Sequence, residues 1–130
     1  MKLDHLDPRA AQKARGLERA YGDAMAARQH AAVRMDEAQR RRTNAARALR
    51  DLEVAGEYGH YDSSGAIRGL PTAKEAYEAQ LAEHREALAE AEAEHARLAA
   101  AHEALTAPVG ALGALWHRVE RHVEAARVAA

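Results

Sequence analysis

LAEHREALAEAEAEHARLAAAHEAL, residues 81 to 105, is the stretch whose reading decides the fold. Within it Leu81, His84, Leu88, Ala91, His95, Leu98, His102 and Leu105 recur at alternating steps of three and four. That period of about 3.5 residues keeps one stripe of a helix turned toward a partner helix. Three histidines stand where such a stripe ordinarily carries leucine. The phase runs on past Pro108 through Val109, Leu112, Trp116, Val119, Val123 and Ala126.

A second stripe of the same period lies upstream. It passes through Ala10, Ala14, Leu17, Tyr21, Ala24, Arg28, Ala31, Met35, Ala38, Arg42, Ala45, Leu49 and Leu52. Asp7 followed by Pro8 supplies a start, because a carboxylate can accept from the free amides of a first turn and proline suits the first helical position. Thr72 and Glu75 form a capping box at the head of the other helix. The fold class predicted is all-α: a long antiparallel coiled-coil helical hairpin, one domain over residues 1–130. Helix one covers about 8–54, a tip loop 55–71, helix two about 72–106, and a C-terminal helix about 108–128, Pro108 either kinking helix two or starting the new helix. In the tip, Asp62-Ser63-Ser64-Gly65 suits a type I turn between Tyr61 and Ile67, which reads as a short β-hairpin.

Composition agrees with long helices. Alanine supplies 35 of the 130 residues, whereas leucine, valine, isoleucine and phenylalanine together supply 19. A chain so poor in large apolar residues is marginal alone and gains stability by pairing with another chain. The net charge of −1 argues against a disordered polyelectrolyte. With no cysteine, a disulfide framework and a thiolate metal site are excluded. The amino terminus, MKLDHLDPRA, carries charges where a signal peptide needs an apolar run. The longest uncharged stretch, TAPVGALGALWH at 106–117, falls short of the roughly 18 apolar residues of a spanning helix, so no membrane association is expected.

The charges are unevenly shared. Residues 1–55 hold 12 basic and 8 acidic side chains, residues 72–106 hold 3 and 8. Folding back about the tip centre sets residue i near 127 − i, which lays Arg40, Arg41, Arg42, Arg47 and Arg50 beside Glu78, Glu83, Glu86 and Glu90 and turns Trp116 toward Ala10 and Ala11. On this reading the arginine run is neutralised within the chain, and nucleic-acid binding is disfavoured.

Two surfaces are candidates for contact with other molecules. The C-terminal stripe of Val109, Leu112, Leu115, Trp116, Val119 and Val123 is the most apolar in the chain, and tryptophan is enriched among residues that carry binding energy. The tip, with Tyr58, His60, Tyr61, Asp62 and Arg68, is the second, since long loops are often retained for contact. No nucleophile elbow or oxyanion segment accompanies Ser63 and Ser64. The function expected is therefore a non-enzymatic structural or adaptor subunit, with a protein partner or self-association, no cofactor and no small-molecule substrate. The alanine, arginine and glutamate bias points to a bacterial or phage assembly, in the cytoplasm or within a particle such as a virion.

The alternatives are a regulator that inserts its tip into a partner, and a metal-binding bundle. The spacing Glu92-Ala93-Glu94-His95 resembles that of the two-helix encapsulated ferritins, and the resemblance implies a ferroxidase-type di-metal site at Glu92 and His95. Such a site needs a further carboxylate facing the metal, and Asp36 and Glu37 fall off the seam.

A charge forced into a seam is costly, whereas an exposed substitution stays within about 0.5 kcal/mol. Ala24→Glu and Leu88→Glu should each lower the melting temperature far more than Ala93→Glu. Equal midpoints in thermal melts followed by circular dichroism would place the seam elsewhere.

Overall fold

A computed structural model describes residues 3–60 and 73–129. They form two long helices packed against each other, α1 from Pro8 to His60 and α2 from Ala73 to Ala129, with no strand among the described residues. The chain divides into two compact units: residues 1–33 with 99–130, and residues 34–98.

Helix α1 begins as its sequence requires. The Asp7 carboxylate accepts from the amides of Arg9 and Ala10 at 3.3 and 3.2 Å, and the Asp7 carbonyl takes the first helical bond from Ala11. Its far end differs from expectation. Helical backbone continues to His60, interrupted at Gly56 (φ 68°, ψ −177°), a left-handed conformation that glycine adopts without steric penalty. The β-hairpin expected at Asp62–Gly65 lies outside the described residues, as does Thr72 of the capping box. Helix α2 carries Pro108 inside it rather than breaking there, so the separate C-terminal helix expected over about 108–128 is the second half of α2. Proline in a helix interior costs about 3 kcal/mol. The stripe nevertheless keeps its phase, and Val109 is buried beside the proline.

In the unit of residues 34–98, Ala38 and Leu52 of α1 and Leu81 and Leu98 of α2 are buried. The seam positions between them, Met35, Arg42, Ala45, Leu49, His84, Leu88, Ala91 and His95, are half-buried, and the residues on the opposite faces are mostly exposed. In the unit of residues 1–33 and 99–130, Ala11, Ala14, Val109, Trp116 and Val123 are buried, with Leu17, Tyr21, Leu105, Leu112 and Val119 half-buried. Both stripes thus coincide with the least exposed residues of their helices. Ala10 and Ala126 are the exceptions, both exposed, Ala10 beside the buried Ala11.

The register differs from expectation in both units by about one heptad. Arg41 pairs with Glu94 at 2.7 Å, where folding about residue 63 pairs it with Glu86. In the other unit Tyr21 lies over Gly113 rather than Thr106. Trp116 accordingly shares a groove with Tyr21 and Gly22 and not with Ala10 and Ala11. Helix α1 runs on to His60 and α2 begins at Ala73, whereas helix one was expected to end at about 54 and helix two to begin at about 72. Each α1 residue therefore meets one seven or eight positions later. A displacement of seven leaves every seam residue on the seam, which is why the periodicity was compatible with both registers.

Cysteines replacing Arg41 and Glu94, joined by a short bismaleimide, should give an intramolecular crosslink visible as a mobility shift on a denaturing gel. Arg41→Cys with Glu86→Cys should not; the reverse outcome would restore the shorter register.

Candidate functional site

The unit formed by residues 3–33 and 99–129 collects most of the large apolar side chains. Its amino-terminal segment folds back on α2. Leu3 is buried against Ala11, Ala14 and Val123, Leu6 packs on the same cluster, and His5 Nε2 lies 2.9 Å from the Val123 carbonyl oxygen, where a ring N–H donates. Leu6 is the residue before the Asp7 cap and Ala11 the fourth of the helix, the positions that a hydrophobic staple joins. That signal was present in LDHLDP; with only two leucines outside the helical period, it escaped the periodicity search.

Next along this unit, Tyr21 meets α2 at a gap in the side chains. A Cβ built on Gly113 would lie 3.1 Å from Tyr21 Cε1 and 3.2 Å from its hydroxyl oxygen, so glycine there is what lets the ring come close. The His117 ring stands edge-on to the same tyrosine, 6.1 Å between centroids at 73°. Such edge-to-face pairs contribute about 0.5–1.5 kcal/mol beyond their burial.

The predicted C-terminal interface therefore divides. Val109, Trp116 and Val123 are buried within the chain, Leu112 and Val119 are half-buried, and Leu115 remains 43% exposed. Beside Val119 and Val123 an apolar groove of about 360 Å³ opens between Leu6, Ala14 and Leu17. A larger groove of about 980 Å³ runs past Trp116, Tyr21 and Met25, rimmed by Glu18, Asp23, Arg19 and Arg121. Glu124 on that rim is held below the usual carboxylate range, chiefly by its hydrogen bond from Arg127 at 2.5 Å.

Of the predicted tip residues, Tyr58 and His60 fall on the last turn of α1, while Tyr61, Asp62 and Arg68 lie outside the described residues. Glu92 is exposed and His95 half-buried. Among the described residues no three histidine or acidic side chains converge in a way that could hold a metal ion. His84 turns its Nδ1 to the Gln80 carbonyl oxygen at 2.9 Å, one turn back on its own helix. That local bond gives a seam histidine a polar partner without any ligand. No side-chain polar atom among the described residues is buried without a partner.

Helix α2 contains one 18-residue window of mean hydropathy 1.2, which by length and composition alone is enough to cross a membrane; 17% of it is buried within the chain.

Gly110 has nothing near its would-be Cβ, so Gly110→Ala should stabilise the chain by the helix-propensity difference, about 1 kcal/mol. Gly113→Ala should gain less, because Tyr21 must give way, and should recover the full gain when Tyr21→Ala is also present. Equal gains for both glycines in the native background, measured by urea unfolding, would show that the tyrosine contact is slack.

No known protein family, no curated protein and no solved structure matches this chain.

Proposed function

We propose that the chain is a non-enzymatic structural or adaptor subunit that takes its place in a larger assembly, bacterial or phage by its composition, through its helical seam and its carboxy-terminal apolar surface. One observation carries the reading. The buried core of the described residues consists of ten side chains, three of them alanine, and no large side chain is completely buried. A core this thin gives a small domain little stability of its own, and such domains are commonly stabilised by association.

On this reading the two helices act as an antiparallel coiled coil, with Pro108 bending α2 and a β-hairpin-like tip over residues 61–71 as a second contact. The anchor narrows to Leu115, with the groove beside Val119 and Val123, since Val109, Trp116 and Val123 are occupied within the chain. Leu115 is a large apolar side chain exposed on a surface otherwise rich in alanine, and exposed apolar patches of this kind commonly mark interfaces.

Leu115→Glu tests the anchor without removing the core that a deletion of residues 108–130 would take away. It should leave helicity and melting temperature of the dilute protein unchanged, within about 0.5 kcal/mol, while abolishing the association that light scattering detects in molar salt. Unchanged association would shift the anchor to the tip.

A further inference from the structure

The register change leaves the arginine run largely unneutralised. Within the unit of residues 34–98, Arg41 alone is paired, with Glu94; Arg40, Arg42, Arg47 and Arg50 make no ion pair with any described residue. Arg40, Arg47 and Arg50 are exposed and spaced at seven and three, which sets them on one strip of α1, on the side opposite buried Ala38 and Leu52. On α2 the exposed Glu83, Glu86 and Glu90 are spaced at three and four, on the side opposite buried Leu81 and Leu98, and they too make no ion pair with a described residue. This unit therefore has a basic outer edge and an acidic outer edge.

We infer that these two edges join one copy of the chain to the next, the α1 edge of each lying against the α2 edge of its neighbour. A neighbour displaced sideways without rotation presents its α2 antiparallel to α1, as the chain's own α2 does. The internal register, in which the numbers of facing residues total about 135 as for Arg41 and Glu94, then carries over. It brings Arg47 between Glu86 and Glu90, and Arg50 between Glu83 and Glu86. The one basic residue on the acidic edge, Arg97, falls midway between Asp36 and Arg40 of the basic edge. Arg40 and Asp51 are the positions that meet like charge. A two-fold dimer cannot use this match, because it would set each edge against itself, arginine on arginine or glutamate on glutamate. The contact is heterologous and, repeated without rotation, builds an open array rather than a closed pair. It is separate from the Leu115 surface, so Leu115→Glu leaves it intact and reversing these charges leaves Leu115 intact.

Two variants test it. Arg40→Glu, Arg47→Glu and Arg50→Glu together make both edges acidic; Glu83→Arg, Glu86→Arg and Glu90→Arg together make both basic. By light scattering at low ionic strength, the wild-type chain should associate beyond the dimer, and molar salt should reduce it to smaller species. Each variant alone should lose at least tenfold in association, and an equimolar mixture of the two should recover it. A wild-type chain that stays monomeric at low salt, a variant that associates alone as well as wild type, or a mixture that fails to associate would each overturn the inference. Should either variant lose helicity by circular dichroism, the triple glutamine replacement of the same arginines takes its place, and its association must fall several-fold for the edge contact to stand.

Discussion

Both units depend on a long seam in which small residues, above all the alanines of α1, stand among a few larger apolar ones. A small side chain lets two helices approach closely but removes little apolar area from water, so each turn of contact contributes little and the pairing accumulates over many turns. This explains the length of the helices: 53 residues in α1 and 57 in α2 are needed where a leucine-rich pair would be stable with fewer. It also explains where the larger residues went. Leu52, Leu81 and Leu98 are buried in one unit, Val109, Trp116 and Val123 in the other, and polar seam residues such as Arg42 and His95 stay half-exposed, where their charged or polar ends can remain hydrated.

The phase of each helix was legible because it depends on local spacing alone. Leu17, Tyr21, Met35, Leu49 and Leu52 obey the repeat despite the noise of so many alanines, and the structure places all five on the less exposed face. Register was not legible, since a repeat of seven is satisfied equally by alignments seven residues apart. The end of helix one was not legible either, because of Gly56. Read as the start of a loop, it shortened helix one; in the structure it takes a left-handed conformation and helical backbone resumes to His60. The hook of Leu3 and Leu6 is a tertiary contact from outside either repeat, so no periodicity could announce it.

Electrostatics follows from register rather than from composition. The counts of basic and acidic residues suggested a chain neutralised within itself, but charges neutralise only the groups they reach. A displacement of one heptad leaves one cross-helix ion pair among the described residues, between partly exposed groups, of a kind that contributes about 0–1 kcal/mol. The seam histidines belong to the same picture. They occupy stripe positions without forming a cluster, and His84 satisfies itself on the preceding turn of its own helix.

The gap at Gly113 has a consequence for how the chain finds its fold. Two helices zipped one heptad out of place would bury nearly the same stripes, so the energy difference between correct and shifted pairings comes from the few positions that are not interchangeable. Tyr21 over Gly113 is such a position. Seven residues away the ring would face Thr106 or Glu120, each with a side chain where the glycine has none. The tyrosine and the glycine act as a key and its notch, turning a repetitive surface that could stall in misaligned pairings into one with a preferred stop.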